Sequence, residues 1–148
     1  MKKFRFPLQK LRDWRQIRFE TEEARLSGML HQRRQLTLAR QRLNEESEAA
    51  LAACVTAATL RSDELVWLDS YRRFARAEAA RIEGQMRGLE TQIEAQRRQL
   101  LETRRSVMVL DGLKDRQHQQ WRQEADKEQE EMVAELVVAR WKTVTGPR

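Results

Sequence analysis

The sequence predicts an all-α fold: a long two-helix antiparallel coiled-coil hairpin whose second helix is longer and overhangs the first. An apolar repeat spaced alternately three and four residues runs from Leu65 to Leu110. It passes through Leu68, Ala75, Ala79, Ile82, Met86, Leu89, Ile93, Leu100 and Val107 and is interrupted only by Arg72, Gln96 and Thr103. Such a repeat is the seam of a coiled-coil helix. The only two prolines stand at Pro7 and Pro147, so nothing between them forbids helix. The composition, 35% charged and 6% aromatic, belongs to an elongated helical protein with little interior. The 148 residues are therefore expected to form a single elongated domain.

Pro7 is placed to open the first helix, where its missing N–H costs no intrahelical hydrogen bond. Apolar residues follow as Leu8, Leu11, Trp14 and Ile17. A cleaner frame then runs through Met29, Leu36, Leu43, Ala50 and Ala57, accompanied by Ala39, Ala53 and Leu60. The first helix is predicted over about 8–60. Extended backwards, its later frame meets Arg15, Arg18, Glu22 and Arg25, so a frame shift or looser packing is expected there.

A turn is predicted at about 61–63. Two helices of this length in one chain bury their seams most simply by folding back on each other. Ser62 or Asp63 is the best N-cap in the region, and acidic residues follow in the first turn. The second helix is predicted over about 64–142. With the turn near residue 61, the numbers of paired residues should add to about 122. The first helix then runs out of partner near residue 115, where the second helix's frame also fails at Lys114 and Gln117. Residues 116 to about 142 would overhang by about 40 Å within a helix of about 120 Å, at 1.5 Å per residue.

That overhang is acidic through Glu124, Asp126, Glu128, Glu130, Glu131 and Glu135. It turns apolar at Met132, Val133, Leu136, Val137, Ala139, Trp141 and Val144, with spacings that place an apolar stripe along one side of a helix. Such a stripe needs a cover: the basic N-terminal segment, a second copy of the chain, or a different protein.

The net charge of +6 is local. Lys2, Lys3, Arg5, Lys10, Arg12, Arg15 and Arg18 face only Asp13 within residues 1–18, so that segment carries the whole excess. A basic terminus can steer toward an acidic partner, an anionic membrane or a nucleic acid. No basic stripe continues along the helices, and nucleic acid is not an expected partner. The single cysteine, Cys54, lies in an alanine-rich stretch, excludes an intramolecular disulfide framework and suits a reducing compartment. The opening MKKFRFPLQKLRDW lacks the apolar core of a signal peptide, and the longest uncharged run, Ala49 to Leu60, is too short for a bilayer. A soluble cytoplasmic chain is expected.

No constellation supports catalysis. His31 and His118 lack spaced ligand partners, and the carboxylates Glu45 and Glu46, like Glu130 and Glu131, are adjacent and diverge on a helix. There is no glycine-rich phosphate loop and no nucleophile set beside a base. A non-enzyme without cofactor or metal is expected. Gly84 and Gly88 fall on the outside of the hairpin in this frame, where each costs roughly 1 kcal/mol relative to alanine. The densest aromatic group, Trp67, Tyr71 and Phe74, flanks Leu68 near the turn. Part of it is expected to pack against Ala52, Cys54 and Val55. The whole cannot face one narrow seam, so an exposed aromatic patch is a candidate binding surface.

Three motifs punctuate the chain: F-x-F-P-L-Q-K-L-R-D-W over Phe4 to Trp14, W-L-D-S-Y-R-R-F over Trp67 to Phe74, and L-D-G-L-K-D-R-Q over Leu110 to Gln117 ahead of an acidic E-Q-E-E-M stretch. Together they resemble the flagellar export protein FliJ family. Their order and spacing span the chain, while Trp121, Trp141 and the alanine-rich run from Ala49 to Ala58 depart from the pattern.

The resemblance implies a cytoplasmic antiparallel coiled coil like the central stalk of rotary ATP synthases. Such a protein docks into the hexameric export ATPase of a flagellar or injectisome type III secretion system. It reaches the export gate at the inner face of the cell membrane and has a role with export chaperones. By that analogy Arg5, Lys10, Arg12, Arg15, Met132, Leu136 and Trp141 would contact the ATPase ring, and Tyr71 and Phe74 the gate protein. The other reading is an escort that holds export substrates or their chaperones on Trp67, Phe74 and Val137.

Overall fold

The computed structural model describes residues 2–56 and 61–146. Two helices, α1 (Gln9–Thr56) and α2 (Ser62–Val144), account for nearly all of them, and no strand occurs among the described residues. The fold is all-α, with α1 and α2 packed antiparallel. The expected last residues of the first helix, 57–60, lie outside the described residues.

Both helix starts differ in detail from expectation. Pro7 does not enter α1: it occupies the second position of a turn in which the Gln9 N–H donates to the Phe6 carbonyl at 3.2 Å. The fixed φ of proline suits that position. Leu8 then caps the helix, its carbonyl accepting the Arg12 N–H at 2.9 Å. At α2 the N-cap is Arg61, not Ser62 or Asp63. Its carbonyl accepts the N–H of Leu65 at 3.2 Å, and the Glu64 carboxylate reaches back to the Arg61 N–H at 3.4 Å. This is one half of a capping box, and Asp63 and Glu64 in the first turn complement the helix dipole.

The chain divides into two compact units, one of Met1–Phe19 with Thr103–Arg148 and the other of Glu20–Glu102. In the second unit Leu43, Ala75 and Ile82 form a buried cluster with Leu36, Ala39, Ala79 and Met86 packed against it. Leu68, Leu89 and Ile93 continue the buried seam, and Ile93 is 0% exposed. Of the predicted seam in this unit only Leu65 and Arg72 stand outside. Salt bridges from Arg33 to Glu90 at 3.1 Å and from Arg40 to Glu83 at 3.2 Å flank it. The numbers of each pair add to 123, one residue from the expected register. Gly84 and Gly88 face open space, as their frame positions require.

Of the frame shift or looser packing expected early in α1, the frame shift does not occur, and positions 12, 15, 19 and 26 are only half-buried. Positions 12, 15, 19, 22, 26, 29, 33, 36, 40, 43, 47, 50 and 54 are all buried or half-buried, keeping the alternation of three and four throughout. Arg15 and Glu22 stay on the seam, whereas Arg18 and Arg25 stand exposed. The physical reason is that polar residues on the seam find partners there. The buried Glu22 accepts hydrogen bonds from Gln96 Nε2 at both its backbone carbonyl, 3.0 Å away, and its carboxylate, and another from Arg25 at 3.3 Å. Glu22 and Gln96 each interrupt an apolar frame, and they interrupt it opposite each other. No buried polar side-chain atom among the described residues lacks a partner.

In the terminal unit Val107 and Leu110 are buried, and the paired region extends past residue 115. Residues 2–6 precede the helix without regular structure, and such a chain advances up to about 3.3 Å per residue, against 1.5 Å in a helix. A few residues therefore accompany about ten of α2. Phe6 is buried, and Phe4 meets His118 edge-on at 5.0 Å and Trp121 at 6.0 Å. Trp121 Nε1 donates to the Lys2 carbonyl at 3.1 Å. The last buried residue of α2 is Ala125, so the overhang begins at residue 126 rather than 116.

Candidate partner-binding surfaces

The basic residues of the terminal unit divide into two sets. Arg12 lies on the seam face of α1, and its Nε donates to Asp111 Oδ1 at 2.8 Å while Nη2 approaches Oδ2 at 3.4 Å. This two-pronged geometry is the strong form of an arginine–carboxylate contact. The hydrogen bond from Arg12 holds the Asp111 carboxyl below its ordinary range, and the same bond raises the Arg12 guanidinium above its own. Arg15 Nη1 donates to the Ser106 carbonyl at 3.3 Å, and Lys114 Nζ donates to Gln9 Oε1 at 2.8 Å. Arg12 and Arg15 are thus engaged within the unit, while Arg5 and Lys10 stand exposed.

A pH dependence follows from the Arg12–Asp111 pair. A carboxylate whose folded pKa is depressed adds stability above its unfolded value and loses it as pH falls through the folded one. Asp111→Asn should therefore cost about 0.5–1 kcal/mol at pH 7, the upper part of the range for half-exposed pairs. The difference from the unsubstituted chain should begin to shrink as pH falls below about 4, where the unfolded carboxyl starts to bind its proton, and should vanish only below the depressed folded pKa. Urea denaturation followed by circular dichroism, stepped from pH 7 down to about pH 2, measures the loss.

Turning the arginines inward leaves apolar side chains outside. Trp14 and Ile17 are more than half exposed, Leu8 and Leu11 somewhat less, and Arg18 lies over the Trp14 ring at 5.7 Å from its centroid. This is a cation–π contact on an exposed face.

The larger surface is the overhanging arm, residues 126–146, every one of which is exposed. Met132, Val133, Leu136, Val137, Val138, Trp141 and Val144 are each more than half exposed, Trp141 by 67% and Val144 by 80%. Asp126, Gln129, Glu130, Val133 and Ala134 line one shallow hollow on the arm, and Val137, Arg140, Trp141, Val144 and Thr145 line another. The helix ends after Val144, where the Thr145 N–H donates to the Trp141 carbonyl at 2.9 Å and Lys142 lies in the last turn. Met132, Leu136 and Trp141, singled out from the sequence, all stand on this arm. An apolar stripe on an otherwise charged, wholly exposed helix is the form in which amphipathic helices are recognised.

In the second unit Trp67 and Tyr71 stack at 5.4 Å with ring planes 11° apart, and Tyr71 meets Phe74 at 6.5 Å. Trp67 and Phe74 are exposed by more than half, whereas Tyr71 is half-buried. Cys54 is half-buried and lines a hollow with Ala53, Asp63, Glu64 and Trp67. Tyr71 borders a hollow with Ser47 and Leu51 of α1, while much of Trp67 and Phe74 faces solvent; of the residues expected to receive the group, Ala52 and Val55 stand exposed, Val55 by 75%, and only Cys54 is half-buried.

Sequence reasoning missed the Phe4, His118 and Trp121 cluster and the burial of Phe6. The signal available was two phenylalanines beside Pro7 and a tryptophan beyond the seam, and only an extended N-terminal segment makes them neighbours. Among the described residues no group of three or more histidine, cysteine, aspartate or glutamate side chains is placed to hold a metal ion. No described helix is long and apolar enough to cross a membrane. No family model, no curated protein and no solved structure matches the chain.

Proposed function

We propose that this chain is a non-enzymatic component of the flagellar type III export apparatus, or of its injectisome counterpart. In this reading it is a cytoplasmic coiled coil that binds the export ATPase hexamer and couples it to the export gate, peripheral to the membrane. The observation that carries the proposal is the exposed apolar stripe of the arm, from Met132 to Val144. A helix end that no other part of the chain covers among the described residues suits a shaft gripped by a ring of subunits. The basic Arg5 and Lys10 belong to the same unit and stand exposed, so that unit presents positive charge in addition to the acidic start of the arm. The sequence resemblance supplies the identity of the ring. In the second unit, Tyr71 and Phe74 are the proposed contact for the cytoplasmic part of the gate protein.

The exposed Trp67 and Phe74 also favour a second reading, an escort for export substrates or their chaperones. One experiment separates the two. Mixing the purified chain with the export ATPase should raise hexamer formation and ATP turnover. An unchanged ATPase with no detectable binding, together with capture of export chaperones that Phe74→Ala abolishes, would leave the escort reading in its place.

A further inference from the structure

We propose that the arm is self-complementary, and that in the free protein it pairs antiparallel with the arm of a second copy of this chain. This goes beyond the export reading and does not rest on it. The observations are the exposure of the stripe and the places of two charges within it.

Along the arm, positions 126, 130, 133, 137, 140 and 144 follow spacings of four, three, four, three and four, so they lie along one line of the helix surface. The hollows agree with this line: Asp126, Glu130 and Val133 border one, and Val137, Arg140 and Val144 border the other. The centre of the line is apolar, at Val133 and Val137. Glu130 precedes Val133 by three residues and Arg140 follows Val137 by three, so opposite charges stand symmetrically about the midpoint. Neither charged group has a hydrogen-bond or salt-bridge partner among the described residues.

Antiparallel superposition of two such lines places Val133 against Val137 of the other copy, and Glu130 against its Arg140, twice by symmetry. Asp126 and Val144 meet at the wet outer ends. Leu136 and Trp141 widen the apolar strip on either side of these layers. A parallel pairing would instead set Glu130 on Glu130 and Arg140 on Arg140, and like charges across an interface are strongly disfavoured. The charge pattern therefore selects both the occupant and its direction. The chain's own N-terminal segment is already engaged with His118 and Trp121. Because the self-paired face includes Leu136 and Trp141, pairing of arms and contact of those residues with a ring exclude each other.

Sedimentation of the full chain over about 1–200 µM at low salt is the test, a range that spans the affinity of modest helical interfaces. The weight-average mass should rise from that of one chain, 17.6 kDa, toward twice that value. Glu130→Arg and Arg140→Glu, each alone, should weaken association at least about tenfold by setting like charges opposite each other. The double exchange, Glu130→Arg with Arg140→Glu, should recover it. Circular dichroism should report the same helix content in all four proteins. A chain that stays monomeric throughout, single exchanges that associate as well as the parent, or a double exchange that fails to recover would each overturn the proposal.

Discussion

Ile93→Ala should lower the stability of the second unit by about 3 kcal/mol, the middle of the range for truncating a buried isoleucine. Ile93 is the one large side chain among the described residues that is fully enclosed, and it sits between the buried Leu89 and the Glu22–Gln96 contact. Removing its outer carbons leaves a void beside polar groups that cannot collapse without losing their hydrogen bonds. A seam between two helices has few other enclosed residues over which to spread the loss. Thermal and urea denaturation followed by circular dichroism measure the change. Leu100→Ala, at a half-buried position of the same seam, should cost distinctly less.

Leu136→Asp combined with Trp141→Asp should abolish stimulation of the export ATPase and weaken binding by about a hundredfold or more, while leaving the unfolding midpoint within error. Truncating an interface anchor typically costs 2 kcal/mol or more, and two charged replacements on one stripe add repulsion from water-stripped surroundings. The fold has little to lose, because both side chains are about two-thirds exposed. Titration of the ATPase with each protein at fixed ATP gives the two affinities. Equal stimulation by both proteins would remove the arm from the proposed interface.

Much of the fold was legible because heptad spacing is a local signal. The seam from Leu68 to Leu110 stands where the alternation of three and four put it, and α2 begins within two residues of its expected start. What escaped was pairing between distant residues. Arg15 and Glu22 read as faults in a frame, yet Ser106 and Gln96 satisfy them across the helix pair, and nothing in their own neighbourhoods could announce it. Arg12 and Asp111 lie in two of the motifs that carry the family resemblance, and their contact became visible only in three dimensions.

The overhang shows the same division. Its apolar stripe was legible from spacing, and its start was misplaced by ten residues. The register argument counted residues as if all were helical, whereas residues 2–6 lie outside any helix and reach further per residue. Exposure of Met132, Leu136 and Trp141 follows from where cover ends, which depends on that segment. The aromatic group was read correctly as divided, because three large rings over two turns exceed the width of one seam.

Hydrogen exchange of the chain with and without the export ATPase, read by mass spectrometry at a concentration below self-association, tests the central claim most directly. Alone, amides of the paired part of α2, up to about residue 125, should exchange slowly and those of 126–146 quickly, since an unsupported helix of this length is marginal in water. Addition of the ATPase should slow exchange across 126–146 and leave 62–100 unchanged. Slowing confined to the region of Trp67 to Phe74, or no change anywhere, would contradict a ring contact at the arm.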